Sequence, residues 1–282
     1  MSYGRHQSFY LKKHWITKGL NSFNLFGEKT IFKKDSFVLL GLGKNMHQSL
    51  RYWLEATNIL HLTNKAHKLT EFGKLVSEFD IGCNKDLTKN LLHYYLVNKV
   101  EGVEISHTFY WFFNIYQESI FTKEKILNDL ILWNSNVTSS NTLSRDIDCL
   151  LSLYTREELS HPEDKNVSLL AEMKLIKTEN ENYIKSPISD TVLSMDTAFY
   201  ILLLMKELNI HLSLVNILTK EYSLGKAFNL TRTDVIDLIE KMVSSGYPLE
   251  ITRTNNLDTI KLNSKVSSSD FLNNIYRGIK IW

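Results

Sequence analysis

Residues 35–54 read DSFVLLGLGKNMHQSLRYWL, two apolar-periodic runs parted by Gly41-Leu42-Gly43. Asp35 is suited to cap a short helix through Leu40, the glycines supply a tight turn, and Asn45 with Gln48 three residues on reads as a capping box for a second helix. On that second helix Met46, Leu50, Trp53 and Leu54 recur at i, i+4, i+7 and i+8, which makes one buried stripe. Lys44, His47, Gln48 and Arg51 take the opposite face. Further on, Ile59–Leu62 and Lys68–Thr70 flank the polar Thr63-Asn64-Lys65 as two strands and a tip would, and Thr70 caps another helix through Phe79. Helix, turn, helix and hairpin together outline a winged helix.

Two more stretches carry the same outline. Thr142–Tyr154 is helical by the spacing of Leu143, Ile147, Leu150, Leu151 and Tyr154; Ser168–Ile176 reads as a short helix, and Thr178–Lys185 as a hairpin turning at Asn180-Glu181-Asn182. In the third, Thr231 and Asp234 form a capping box, Val235, Leu238, Ile239 and Met242 form the stripe, and Leu249–Arg253 pairs with Asp258–Leu262 across Asn255-Asn256. Plain helices are expected over 86–99, 106–118, 122–133 and 189–208, and the polar runs 134–141 and 155–166 read as loops, the second stopped by His161-Pro162. The expected fold class is mainly α (α+β): several winged-helix or helix-turn-helix units with short β-hairpin wings, joined by helical segments. The expected division is a basic arm and winged helix at 1–80, a helical middle at 81–140, a second winged-helix-like unit with a helix at 141–210, and a third unit at 211–282.

At 282 residues the chain is too long for one small core. With 43% apolar and 11% aromatic residues but 3 Pro and 11 Gly, it has ample surface to bury, which excludes a disordered tail protein. Cys83 and Cys149 show no CxxC spacing; this argues against a disulfide scaffold or zinc ribbon and fits a reducing cytoplasm. Met1–Trp15 has no apolar signal-type core, and the longest apolar run, Ala198–Met205, falls far short of a membrane span. Charge is uneven. Residues 1–53 hold nine Lys and Arg against two acids, a balance of +7, so the remainder carries −5 of the net +2. Such a segment suits a face that meets phosphate, and equally a solvated basic surface.

Lys44, Asn45, His47, Gln48 and Arg51 are the strongest chemical pattern. Lys and Arg neutralise phosphates or grip guanine, Asn and Gln match adenine, and the free amides of a helix amino end hold phosphate. The same face also suits a protein partner, since winged helices serve both. Gly41-x-Gly43-Lys44 is not a P-loop, which needs GxxxxGK[ST] after a buried strand. The segment with Arg5, His6, Lys12, Lys13 and Lys18 among Tyr3, Phe9 and Trp15 can track a backbone and stack on bases, or anchor an arm to the core. Catalytic signal is thin. HExxH, HxH and close Cys/His pairs are absent, and ExK at 163/165 and 172/174 occurs at chance frequency. His6, Asp80 and Asp86 remain as groups suited to general-base or divalent-metal work, each with a structural alternative. The aromatic run 109–113 with Tyr116 suits a core better than a base stack.

Gly4-Arg5-His6-Gln7-Ser8-Phe9 with Trp15 and Lys18-Gly19, then Leu40-Gly41-Leu42-Gly43-Lys44-Asn45-Met46 and Ser49-Leu50-Arg51-Tyr52-Trp53, resemble the SspB-type family of bacterial DNA phosphorothioation systems, which defend against phage. Leu69-Thr70-Glu71-Phe72-Gly73, Leu91-Leu92-His93-Tyr94, Phe112-Phe113-Asn114, Phe121-Thr122 and Ser268-Ser269-Asp270-Phe271-Leu272 extend the likeness over nearly the whole chain. The resemblance implies a cytoplasmic DNA-binding component that nicks or recognises the strand receiving sulfur, with Mg²⁺ or Mn²⁺ where it cuts. It also implies a cysteine desulfurase and a PAPS-reductase-like sulfur-activating protein as partners. It carries Arg5-His6 and Lys44-Asn45-Met46 to DNA-facing positions. One departure stands out: where the family has a Glu-Asp pair after Asp80, this chain has Asn84-Lys85 and then Asp86, a change that bears on any metal-dependent cleavage. The alternative expectation is a non-catalytic DNA reader or protein-interaction adaptor.

Overall fold

The computed structural model describes residues 3–27, 36–63, 66–98, 107–135, 137–156, 167–254 and 257–280. The Asp35 cap, the Asn64-Lys65 tip, the Asn255-Asn256 turn, His161-Pro162 and the Glu163/Lys165 pair lie outside these residues. Helix α1 (Trp15–Phe26) buries Trp15, Ile16, Gly19, Leu20 and Phe23 and ends at Gly27, whose φ of 72° suits glycine. Helix α2 (Ser36–Leu39) is a single turn, closed where Leu42 N–H donates to the Phe37 carbonyl at 3.0 Å. Helix α3 (Lys44–Ala56) follows, its Leu50, Trp53 and Leu54 fully buried as the spacing predicts. α1 crosses α3 so closely that a Cβ on Gly19 would sit 2.6 Å from Leu54 Cδ1.

The start of α3 differs from expectation. Gly43 is its N-cap and no side chain caps it, so Asn45 lies inside the first turn and the Asn45/Gln48 box does not form. The hairpin β1 (Leu60–Thr63) and β2 (Ala66–Leu69) pairs antiparallel, Leu60 opposite Leu69. Thr70 then caps α4 (Glu71–Phe79), accepting from Gly73 N at 2.8 Å. Gly73 is required here, since a Cβ would meet the Ile59 carbonyl oxygen at 2.1 Å.

Helices α5 (Asp86–Val97) and α6 (His107–Asn114) pack on one another, and the aromatic run of α6 is core throughout. A two-residue strand, β3 (Ile120–Phe121), precedes α7 (Lys123–Trp133) and α8 (Ser140–Thr155), capped by Thr122 and Ser139. Next come β4 (Ile176–Glu179) and β5 (Asn182–Lys185), turning at Asn180, whose φ is 54°. The short helix expected over 168–176 is only a 3₁₀ turn at Ala171–Met173, because Ile176 is drawn into β4 opposite Lys185. The sheet order is β3-β5-β4, all antiparallel, with Phe121 opposite Tyr183. Helix, strand, helix, helix, strand, strand, with the first strand against the last, is a more complete arrangement than the sequence pattern suggested.

The chain divides into two compact units, residues 1–186 and 187–282, rather than four. Within the first unit α6 and α7 both pack on α8 across position 140, and α8 also takes hydrogen bonds from the amino-terminal arm. The second unit begins with α9 (Met195–Glu207), shorter than expected because Ser194 caps it at Thr197 N. Helices α10 (Leu214–Thr219), α11 (Leu224–Phe228) and α12 (Arg232–Ser244) follow, and the Thr231/Asp234 capping box is present. β6 (Leu249–Thr254) pairs with β7 (Leu257–Leu262), Ser213 bridges Thr259, and α13 (Ser268–Tyr276) packs on α9. The fold class is mainly α with small antiparallel hairpins. Among the described residues no helix is long and apolar enough to cross a membrane.

Candidate nucleic-acid interface

The amino-terminal arm is laid onto the first unit by its own polar groups. Gly4 N–H donates to Asp146 Oδ1 at 2.9 Å, and His6 Nε2 meets the same oxygen at 2.7 Å. His6 Nδ1 accepts from Ser8 N–H at 3.1 Å, so the ring proton sits on Nε2 and is donated to the carboxylate. Thr108 Oγ1 fills the other oxygen at 2.9 Å. The arm continues with the Phe9 carbonyl, which accepts from Trp53 Nε1 at 2.9 Å, and Leu11 O accepts from Leu169 N–H at 3.1 Å. Of the two uses open to this segment, anchoring is the one its Phe9 and Trp15 rings serve, 6.2 Å apart.

These contacts correct the assignment of His6. At 2% exposure, with both ring nitrogens engaged, it is neither DNA-facing nor poised as a base. His47 is likewise removed from the wet face: it is 7% exposed. The stripe on α3 is wider than the apolar spacing implied, since His47, Ser49, Tyr52 and Glu55 are buried along with Leu50 and Trp53. The arm accounts for this, covering a second side of the helix through Phe9 O, which also receives Ser49 Oγ at 3.4 Å.

Lys44, Asn45 and Gln48 remain exposed at the amino end of α3. One turn on, Arg51 is 42% exposed and its Nε donates to Glu55 Oε1 at 3.2 Å. Arg5, 38% exposed, reaches across from the arm: its Nη2 donates to Glu55 Oε2 at 2.6 Å while its guanidinium lies 5.7 Å from the Tyr52 ring centre. His67 Nε2 on β2 meets Glu55 Oε1 at 2.8 Å. Burial alone drives the Glu55 carboxyl upward, but the His67 hydrogen bond and the charges of Arg5 and Arg51 outweigh it and hold it at about 2. Glu55 is therefore an anion with two cations on it, and the cluster keeps a surplus positive charge on the same helix as Lys44. Sequence reasoning passed over Glu55, although Lys44, Gln48, Arg51 and Glu55 fall at i, i+4, i+7 and i+11 on one stripe.

Lys13 is exposed and Lys12 half-buried, where the arm bridges Ser168. Asp80 spends its two oxygens on the backbone amides of Asn84 (2.9 Å) and Lys85 (3.0 Å), closing the loop from α4 to α5. Asp86 pairs with Lys89 at 3.0 Å, and Glu172 takes the same ammonium. Both Lys13 and Lys89 line a cleft of about 360 Å³ with Cys83 and Asn84, whose charge is partly cancelled by these acids.

The fold is shared with two solved structures. The SspB crystal structure superposes with a TM-score of 0.81 at 20% identity, covering 98% of this chain and 88% of that one. The magnesium ion-bound SspB crystal structure gives 0.79 at 18% identity with the same coverage. Among the described residues of this chain, no three His, Cys, Asp or Glu converge as a ligand set; Asp80 accepts from two backbone amides and Asp86 pairs with Lys89. No curated protein matches the sequence. Residues 3–276 match the model of the family described as protein of unknown function (DUF4007), and the chain belongs to that family.

Proposed function

We propose that this chain is a DNA-recognition component of a DNA phosphorothioation system, and that it meets duplex DNA through the exposed face of α3 from Lys44 to Arg51 in a winged-helix manner. The observation that carries the reading is the charge on that helix. Among the described residues, three helices occupy the position preceding a hairpin: α3, α8 and α12. On α8 the exposed charges are Arg145 and Asp148, the latter paired with Lys123 at 2.5 Å, and much of the helix is buried. On α12, Asp237 and Glu240 are exposed, and Arg232 is tied to Asp258 at 2.7 Å. α3 alone of the three offers exposed Lys44, Asn45 and Gln48 followed by Arg51, with its one acid already neutralised. These side chains suit phosphate and base edges, and the amides of Lys44 and Asn45 open toward an anion.

The GKNM and RYW motifs, together with the fold held in common with SspB, support placing the chain in a sulfur-modification system, with a cysteine desulfurase and a PAPS-reductase-like protein as partners. Strand nicking has less behind it, because His6 and Asp80 are engaged in tying the arm and the loop from α4 to α5, and Asp86 is paired with Lys89. Salt-dependent binding to duplex DNA tests the reading. Lys44→Ala with Arg51→Ala is expected to weaken binding and to lower the log–log salt slope by about 0.9 per lost contact. An unchanged slope would redirect α3 to a protein partner. Supercoiled plasmid with Mg²⁺ or Mn²⁺, compared with an EDTA control, reads out nicking alongside: open circles that need the metal restore the nickase role.

A further inference from the structure

We propose that Glu55 is a positioning residue whose carboxylate holds Arg5 and Arg51 as a paired-guanidinium clamp for one backbone phosphate of DNA; this rests on the reading of α3 just given. The two cations come from distant parts of the chain, the arm and the helix, yet one carboxylate bridges them, Oε2 to Arg5 and Oε1 to Arg51. Glu55 is itself 10% exposed and is further fixed by His67 from the hairpin. Its partners are different: both arginine side chains keep more than a third of their surface open. Each offers five N–H donors in a planar fork, and the contacts to Glu55 draw on only one nitrogen apiece. A buried carboxylate with exposed arginines around it is thus arranged to present cations rather than to be satisfied by them. Ordering two long side chains during folding removes that cost from the binding step.

The sign of one substitution separates this from plain electrostatics. Glu55→Gln removes a negative charge close to where a phosphate would lie. If Glu55 were merely a nearby anion, duplex binding would tighten. A clamp instead loses its geometry: Glu55→Gln, verified as folded by circular dichroism, is expected to bind about tenfold more weakly, with a salt slope lower by about 0.9. Arg5→Ala, costly in the unaltered chain, is then expected to add little in the Gln background. Equal or tighter binding by folded Glu55→Gln overturns the clamp. If that variant does not fold, Arg5→Lys and Arg51→Lys decide the matter at constant charge, since a fork-dependent clamp is weakened by both and a simple charge by neither. Absence of salt-dependent binding by the unaltered chain overturns the reading of α3 as well. A slope that falls with Lys44→Ala but is indifferent to Glu55→Gln and to the Lys variants removes the clamp alone.

Discussion

Replacing Asp146 by alanine removes the carboxylate that ties Gly4 and His6 of the amino-terminal arm to α8. Three donors end on this carboxylate: Gly4 N at 2.9 Å, His6 Nε2 at 2.7 Å and Thr108 Oγ1 at 2.9 Å. Hydrogen bonds to a charged group are worth about 1.5–3 kcal/mol each, so three would sum to well above 4 kcal/mol if nothing relaxed. Relaxation is available, because the arm can lift and let water reach His6. The expected loss is therefore about 3–5 kcal/mol for Asp146→Ala. Asp146→Asn keeps the shape and an acceptor for His6, and is expected to cost about 1–2 kcal/mol. Urea unfolding followed by tryptophan fluorescence is the assay, since Trp15, Trp53, Trp111 and Trp133 all lie in the first unit. A shift of the midpoint at constant m-value gives the energy directly. An alanine variant within about 1 kcal/mol of the parent would refute the reasoning that this carboxylate anchors the arm.

Two further outcomes follow from the electrostatics. With Glu55 held at about 2 against an ordinary 4.5, its folded value lies below its unfolded one. Its contribution of up to about 3 kcal/mol is thus fully present above pH 4.5 and is lost as the pH falls toward 2; the stability gap between the parent and Glu55→Gln should shrink over that window, and a constant gap counts against the assignment. Burial pushes the Cys83 thiol up to about 12 and the Cys149 thiol well above its ordinary value. Neither is expected to react with a disulfide reagent within minutes at pH 8 in the native protein, whereas both should react once it is unfolded, so a fast native thiol titration would contradict the packing.

Much of the first helix-turn-helix was legible because its signals are local. The stripe of Leu50, Trp53 and Leu54, the Thr70 cap and the Thr231/Asp234 box all lie within a few residues of what they determine. β3 was not legible: two residues cannot show alternation, and its partner β5 lies beyond two intervening helices. The site divided in the same way. Lys44, Asn45 and Gln48 stand exposed on the helix face where the pattern puts them. His6 and His47 looked like surface groups because polar residues usually are, and only an arm folded back over α8 from 140 residues away buries His6. Glu55 and Asp146, charged positions on half-apolar helices, carry no local signal that sets them apart, although each is the centre around which polar groups gather.

At Gly73, α4 touches the carbonyl that leads into β1 with no side chain between them. The base of the hairpin is consequently seated backbone to backbone against the helix behind it. Even alanine at position 73 would therefore force the base of the hairpin and α4 apart.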